Sequence, residues 1–425
     1  MAKEINKKVV YEIYGPSWES CGGIRKIEDF LNRHLYKLRP DIIWLSGILD
    51  SPWYDHGYDV SNYRVVSSRL GTMRDFDNLV KRAHSLGIKV IIDLVLNHTS
   101  RYHRWFYDHP SYYCWAKEPK SGWKNLFDGG SAWHYDGIHD LYYCHLFHSS
   151  QMDLNWFPDG EINKPLVYEF RNIVDFWTKE HDIDGFRIDV PQAINKDFTR
   201  NELSFESLLN GDKSIEVINA IFPFKSNSPF LIMECFDPTY GEIIKKYDNT
   251  AVDFFMNVLL KQSAREGQKK FMEHLYKSAE NPRFMIDLES HDSPRFSCGN
   301  FSPHWWMHKM LYNFRDNAVC LYQGQELGLR NPTEQQLSNN DMLRLDVQTA
   351  MRYERGEDIN LLRDDSRANA RVSAKWILAE YHQQENDKNS ILNFTKLHIA
   401  DWRLSETNQK ARALPWAFLK HTHYI

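Results

Sequence analysis

The run KVIIDLVL (89–96) indicates the fold, because it is apolar along its length except for Lys89 and Asp93. Such a run is typical of a β-strand that is buried on both faces, as in a parallel sheet covered by helices. The segment before it, residues 76–87, carries an apolar stripe at helical spacing and ends at Gly87, a common helix C-cap. A helix followed at once by a buried strand predicts a repeating β/α unit.

The same alternation of short apolar runs and amphipathic segments continues through most of the chain. Eight strands of this kind predict an α/β fold, and more specifically a closed (β/α)8 TIM barrel rather than an open sheet. The strands are predicted at 9–14, 41–46, 89–96, 185–190, 229–235, 250–255, 283–290 and 317–323.

Two longer segments interrupt the barrel. Residues 99–163 contain no convincing helix and are dense in Tyr, Trp, His and Gly, so we expect an inserted subdomain after the third strand. Residues 324–388 form a long excursion between the eighth strand and its helix. The barrel is therefore assigned to 1–98 and 164–404, and a short C-terminal tail to 405–425.

The composition argues against several classes of protein. There are 52 Lys and Arg against 57 Asp and Glu, a net charge of −5 without a long basic run, which argues against nucleic-acid binding. No apolar stretch approaches the ~20 residues of a membrane helix, and the first residues lack signal-peptide features. The six cysteines follow no disulfide or metal spacing, which favours reduced thiols and a cytoplasmic location. Aromatic residues reach 14%, and sugar rings stack on aromatic faces.

Acidic residues recur where the predicted strands end, namely Asp93, Asp189, Glu234 and Asp292. The C-terminal ends of barrel strands meet on one rim, where barrel enzymes build their sites. Crowded carboxyls must differ in pKa, so that one can act as an acid while another stays ionised. Arg187 shares a strand face with Asp189, and we expect it to keep Asp189 deprotonated and suited to be a nucleophile.

Four strings resemble the signature regions of the α-amylase family, glycoside hydrolase family 13, in the same order. They are DLVLNHTS (93–100), GFRIDV (185–190), MEC (233–235) and SHDSPR (290–295). Five further strings resemble landmarks of the oligo-1,6-glucosidase branch of that family. They are GYDVSNY (57–63), DGGSAW (128–133), YYCHLF (142–147), QMDLNW (151–156), with Met152 in place of the usual Pro, and SRANAR (366–371), with Ala368 in place of the usual Asp.

The resemblance implies a retaining glycosidase mechanism. It makes Asp189 the nucleophile, Glu234 the general acid/base and Asp292 the stabiliser of the transition state. The nucleophile would form a covalent glucosyl-enzyme, which water or another acceptor then releases. Arg187 would hold Asp189 in position.

The resemblance also implies the walls of a closed pocket. Asp59 and Arg371 match the pair that grips the non-reducing glucose in exo-acting α-glucosidases. Tyr58 would stack on the sugar ring, and Phe127 and Phe147 would wall it.

Further substrate contacts follow from the same motifs. His98 and His291 would donate hydrogen bonds to glucose hydroxyls, and Asp93 and Gln151 belong to the same site. Val190 follows the nucleophile directly, and in this branch Val at that position accompanies α-1,6 cleavage, whereas Thr or Ala accompanies α-1,4 cleavage and sucrose.

Departures from the family pattern bear on metals and partners. The loop WESCGGIRKIED (18–29) lacks the alternating oxygen ligands of a calcium loop, and Asn97 matches a calcium asparagine without an evident partner cluster. We therefore expect no metal and no cofactor. The family usually continues into a β-sandwich for which the tail is too short, so a second copy in a homo-oligomer could cover the exposed flank.

The sequence predicts a cytoplasmic, exo-acting retaining α-glucosidase that hydrolyses short oligosaccharides or disaccharides, with an α-1,6 preference. An alternative is a transglycosylase or isomerase acting on sucrose, maltose or trehalose, because only the acceptor differs between these reactions. A further alternative is a catalytically retired relative that serves as a binding subunit. The physiological sugar and the oligomeric state stay open at this point.

Overall fold

The computed structural model describes residues 8–223, 228–263, 268–295 and 316–407. Eight parallel strands close a barrel in chain order, with β8 pairing back onto β1. This confirms the predicted (β/α)8 fold. The barrel strands are β1 Val9–Tyr14, β2 Ile42–Ser46, β3 Lys89–Val95, β4 Gly185–Asp189, β5 Phe230–Cys235, β6 Phe254–Asn257, β7 Phe284–Asp287 and β8 Val319–Tyr322.

The interior of the barrel is apolar at its lower levels and charged at the C-terminal rim. Val10, Ile91 and Ile232 belong to one buried cluster built from several barrel strands. Because side chains alternate along a strand, the residues two positions further on also face inward. These are Glu12, Asp93 and Glu234, which are all buried. The strand period therefore delivers charged groups to the rim where a barrel site forms.

Helices alternate with the barrel strands, and helices such as Met73–Ser85 and Lys164–Asp175 bury an apolar face. The helix Met73–Ser85 begins with a capping box in which Thr72 and Asp75 bond reciprocally. The helices are Gly23–Phe30, Tyr36–Leu38, Met73–Ser85, Trp105–Asp108, Lys164–Asp175, Phe205–Asn210, Lys213–Ile221, Glu242–Lys246, Val258–Ser263, Gln268–Ala279, Asn339–Leu345, Val347–Glu354, Ile359–Arg363, Lys375–Gln384 and Ile391–Thr407, with π-helical turns at Leu31–Leu35 and Phe176–Glu180.

The segment after β3 forms small antiparallel sheets of its own. His98–Ser100 pairs with Gln151–Asp153, and a three-stranded sheet is built from Trp115–Ala116, Leu141–Cys144 and Trp133–Asp136. A separate small core forms around two of its tryptophans and takes in residues that follow β4. The structure adds one short α-helix, Trp105–Asp108, and two 3-10 helices in this segment, which the sequence did not predict. The assignment of 99–163 as a separate subdomain stays a prediction.

Among the described residues, no helix has the length and apolar character needed to cross a bilayer. Cys21, Cys114, Cys144 and Cys235 are free thiols. Cys298 and residues 408–425 of the predicted tail lie outside the described residues.

Candidate active site

Arg187 of β4 lies at the centre of a group of carboxylates. Its Nη1 atom is 2.5 Å from Asp189 Oδ1 and 3.3 Å from Asp93 Oδ1. Its Nη2 atom is 3.0 Å from Glu234 Oε2. One buried guanidinium therefore binds the two carboxyls predicted to be nucleophile and general acid, together with a third carboxylate.

Burial and neighbouring charge act in opposite directions on the Asp189 carboxyl. Burial raises the pKa of Asp189 to about 8, because Arg187 offsets the cost of burying its charge only in part and Glu234 adds repulsion. The predicted contact between Arg187 and Asp189 is present. The direction of the shift runs against the expectation that Arg187 keeps Asp189 deprotonated, which stays a prediction.

Asp292 has the opposite environment. Arg367 Nη1 donates to Asp292 Oδ1 at 3.1 Å, and Arg371 Nη2 donates to the same oxygen at 3.0 Å. His291 Nε2 lies 2.9 Å from Asp292 Oδ2. Burial raises the pKa of this carboxyl, but the three cationic groups outweigh burial and hold it well below its usual range.

Asp93 and Tyr58 are connected directly. Tyr58 donates from its hydroxyl to Asp93 Oδ2 at 3.1 Å, and its ring stacks on His291 with centroids 5.1 Å apart. Asp93 also accepts from Trp44 Nε1 at 3.2 Å and from the Gly47 amide at 3.0 Å. Tyr58 is thus fixed in the floor of the site beside the predicted sugar position.

The structure does not bring Asp59 to Arg371. Asp59 is fully buried, and its carboxylate accepts from Ser51 Oγ at 2.6 Å and from the amides of Tyr54 and Asp55. Its side chain holds the loop after β2 together and has no reach left for a sugar. The predicted pairing of Asp59 with Arg371 was wrong.

Asp55 takes the position that the sequence assigned to Asp59. Its Oδ1 atom lies 3.6 Å from Arg367 Nη2 and 3.9 Å from Arg371 Nη1. The loop turns back at Gly57, where φ is 107° and a Cβ would lie 2.5 Å from the Gly47 carbonyl oxygen. This close approach needs glycine and directs Asp55 towards the two arginines.

His98 and Gln151 form the side of the pocket next to Asp55. Gln151 Nε2 donates to Asp55 Oδ2 at 3.0 Å and lies 3.0 Å from His98 Nε2, which is also 3.1 Å from the Tyr58 carbonyl oxygen. Burial lowers the pKa of His98 to about 3, so its ring is neutral. The structure thus brings both residues to the site, as predicted.

The two predicted aromatic walls also lie in the site. The Phe147 ring is 5.3 Å from the His98 ring and meets Phe127 edge-on at 5.3 Å. The guanidinium of Arg367 lies over the Phe127 ring at 5.1 Å. Phe127 therefore links the inserted segment to the arginine that holds Asp292.

Val190 lies beyond the end of β4 and not on the strand. Its φ is 33° and its ψ is 55°, which is rare for a β-branched residue. The sequence placed it within a strand at 185–190, and that was wrong, because the strand ends at Asp189. In this conformation its amide donates to Glu234 Oε2 at 3.0 Å, and its side chain packs on the cluster that contains Phe147.

Asn97 has the partner cluster that the sequence did not reveal. The Lys196 ammonium is buried, lies 3.1 Å from Asp153 Oδ2, donates to the Ala193 carbonyl at 2.8 Å and also donates to Asn97 Oδ1. Asn97 Nδ2 donates to Asp153 Oδ1 at 2.9 Å. A side-chain cation thus lies among these oxygens. Within the described residues, no group of three or more His, Cys, Asp or Glu is arranged to hold a metal ion.

A carboxylate cluster at the C-terminal rim of a closed parallel barrel defines a barrel enzyme with an acid/base site. The chain belongs to the α-amylase family: the model of the α-amylase catalytic domain matches residues 21–400. This confirms the family predicted from the sequence.

Several relatives carry names from the predicted branch. The chain is 40% identical over 208 residues to the trehalose-6-phosphate hydrolase of Bacillus subtilis (strain 168), and 41% over 209 residues to the oligo-1,6-glucosidase of Bacillus cereus. These matches cover 45% of this chain and 36% of each relative, so they span about a third of the relatives' own length.

Two longer matches cover most of the chain. The probable oligo-1,6-glucosidase 3 of Bacillus subtilis (strain 168) is 28% identical over 475 residues, which is 91% of this chain and 82% of the relative. The crystal structure of the trehalose-6-phosphate hydrolase of Bacillus licheniformis superposes with a TM-score of 0.78 at 27% identity, covering 94% of this chain and 84% of that one.

Proposed function

We propose that the protein is a retaining, exo-acting α-glucosidase that hydrolyses short α-glucosides, with a preference for α-1,6 links. The observation that supports this best is the binding of Asp189 and Glu234 to one guanidinium, with Asp292 held by other cations. Retaining glycosidases need two carboxyls close together, one to attack and one to protonate.

In the first step, Asp189 attacks the anomeric carbon while a proton held by Glu234 goes to the leaving oxygen. The bond between that carbon and the leaving sugar breaks, and an ester to Asp189 forms. Glu234 then takes a proton from water, which attacks the same carbon and releases glucose. Asp292, which stays ionised, favours the positive charge that develops on the sugar ring.

The exo mode is supported by the closed side of the pocket. Asp55 Oδ1 lies 3.6 Å from Arg367 Nη2 and 3.9 Å from Arg371 Nη1. Arg367 Nη2 also lies 2.9 Å from Asp346 Oδ1, so these charged groups hold one another in place. A pocket side closed in this way suits a terminal glucose, whereas a polymer could not pass.

A second candidate is hydrolysis of trehalose 6-phosphate. It is favoured by the 40% identity over 208 residues to a trehalose-6-phosphate hydrolase. The reacting bond is again an α-glucoside, so the same carboxyls would serve. A transglycosylase or isomerase would use the same carboxyls. Its products would distinguish it from a hydrolase.

The test is product analysis of the purified protein on isomaltose, maltose, sucrose, trehalose and trehalose 6-phosphate. We expect release of glucose, first as the α-anomer by NMR, and fastest from isomaltose. Fastest cleavage of trehalose 6-phosphate would establish the second candidate, and isomerised disaccharides would establish the transglycosylase reading. If no nitrophenol is released from an aryl α-glucoside, the protein is not a glucosidase, and the alternative of a binding subunit is favoured. Efficient cleavage of soluble starch would contradict the closed pocket.

A further inference from the structure

Glu12 is a carboxylate inside the barrel that the mechanism above does not use. It is fully buried on β1, and its Oε1 atom accepts from Ser46 Oγ at 3.0 Å. The same Oε1 lies 2.5 Å from His291 Nδ1. The other ring nitrogen of His291 lies 2.9 Å from Asp292 Oδ2. Glu12 and Asp292 therefore contact opposite edges of one imidazole.

The plane of that imidazole is fixed by aromatic rings. Tyr14 and Tyr58 both stack on it, each with its centroid 5.1 Å away and its plane within 9°. Rotation of His291 is thus restricted, which keeps Nδ1 hydrogen-bonded to Glu12. Nε2 lies 2.9 Å from Asp292 Oδ2 but has no hydrogen-bond partner among the described residues. Several titratable or charged groups face this ring from neighbouring elements. They are Glu12 and Tyr14 from β1, Tyr58 from the loop after β2, Asp93 from β3, the adjacent Asp292, and Arg371. The Nε atom of Arg371 donates to the His291 carbonyl at 3.0 Å.

The site contains a second buried histidine that serves as an internal comparison. His98 contacts a backbone carbonyl and the amides of Gln151 and Asn97, and burial lowers its pKa to about 3. Burial lowers the pKa of His291 as well, but Asp292 and Glu12 outweigh it and raise the pKa to about 9. The difference between the two rings lies in the carboxylates that contact them.

We propose that Glu12 is a positioning residue that keeps His291 as an imidazolium, so that His291 aligns Asp292 and offers the sugar a charged donor. This role rests on the proposed glucosidase reaction. Glu12 acts through His291 and does not touch the substrate. Two carboxylates around one ring hold the proton more firmly than Asp292 could alone.

The decisive variant is Glu12→Gln, which keeps the shape and an acceptor oxygen but removes the charge. The first measurement is the 15N NMR titration of the His291 ring, assigned by its loss in His291→Asn. We expect the His291 pKa to fall by about one to two units in Glu12→Gln. Ser46→Ala removes a hydrogen bond to Glu12 but no charge, so it should leave the His291 titration as in the native protein.

The second measurement is the pH profile of kcat and KM on 4-nitrophenyl α-glucoside. The loss in Glu12→Gln should be smallest near pH 6, where His291 is charged in both proteins, and should grow through pH 8, with kcat changing more than KM. An unchanged His291 titration, or a loss of kcat that is uniform with pH, would overturn the proposal. Because the titration needs no activity, an inactive native protein would refute the proposed function while still testing the hold of Glu12 on His291.

Discussion

The carboxylates on the two sides of the site lie in opposite electrostatic environments. On one side Asp93, Asp189 and Glu234 crowd around the guanidinium of Arg187. On the other side Asp292 is surrounded by His291, Arg367 and Arg371. The carboxylates are of similar type and all lie close to strand ends, so the balance of charge around each one, and not its identity, separates their roles.

This difference in surrounding charge shifts the pKa values of Asp189 and Asp292 in opposite directions. Burial raises the pKa of Asp189 to about 8, so the crowded side resists full ionisation. Asp292 is held well below its usual pKa and stays ionised throughout the working range. The crowded side must supply both an acid and an ionised nucleophile, and the anion of Asp292 favours the positive charge that develops in the transition state.

We expect the largest effect on activity from substitution of the two carboxyls that react with the substrate. Asp189→Asn and Glu234→Gln should each reduce turnover of an unactivated disaccharide by factors of ~10²–10⁴ or more, because nucleophile and acid are used in the reacting step. The measurement is kcat on isomaltose, with circular dichroism as the control for folding. Near-native activity in either variant would contradict the roles.

The barrel and its reacting residues could be predicted because both follow local rules. Buried strands show themselves as apolar runs, and the acids at 189, 234 and 292 lie within two residues of the ends of such runs. Asp55 was missed because it lies two residues before the motif GYDVSNY (57–63), which contains Asp59. The choice between them depends on how the loop turns at Gly57 and packs against Gly47, which is a tertiary contact.

Other residues left no local signal. Glu12 occupies an ordinary alternating position in a strand. The residues next to it in the sequence do not indicate that His291, which is distant in the sequence, lies against it. Lys196 follows an irregular turn, and its partners Asn97 and Asp153 come from other segments. The raised pKa of Asp189 likewise reflects the sum of burial and four charged neighbours, which spacing along the sequence does not report.

Substitutions at Asp55 and Asp59 test which of the two carboxylates contacts the substrate beside Arg367 and Arg371. Asp55→Asn should lower kcat/KM on isomaltose by about 10²-fold, because it removes the carboxylate beside Arg367 and Arg371 that would orient the terminal glucose. Asp59→Asn is the matched control, and it should lower the melting temperature through its loop contacts while changing kcat/KM less. The reverse ranking of kcat/KM would restore Asp59 as the gripping residue.

Lys196 tests whether a side-chain cation, rather than a metal, balances charge behind the site. EDTA should leave activity and melting temperature unchanged. Lys196→Met should destabilise the fold by about 3–5 kcal/mol, because it leaves Asp153 buried without its partner. Thermal unfolding with EDTA or with added Ca²⁺ measures both effects. A melting temperature that EDTA lowers and Ca²⁺ restores in the native protein would refute this account.

Val190 gives a smaller effect, on linkage preference. A β-branched apolar side chain offers no hydrogen bond to the leaving sugar and crowds a directly attached ring, so we expect kcat/KM to be tens-fold higher on isomaltose than on maltose. Val190→Thr keeps the shape and should shift the ratio towards maltose or sucrose. Val190→Ala separates the effect of size from that of the hydroxyl. Equal or better hydrolysis of maltose by the native protein would contradict the preference.

The central claim is the opposite charge balance of the two sides, and the melting temperatures of Asp189→Asn and Asp292→Asn test it most directly. The folded pKa of Asp189 lies above its usual 3.8, so its ionised form costs stability above that pH, and Asp189→Asn should keep or raise the melting temperature at pH 8. The folded pKa of Asp292 lies below 3.8, so its charge stabilises the fold at neutral pH, and Asp292→Asn should lower the melting temperature by a few degrees. Both variants should be inactive. A decrease of similar size in both would contradict the account.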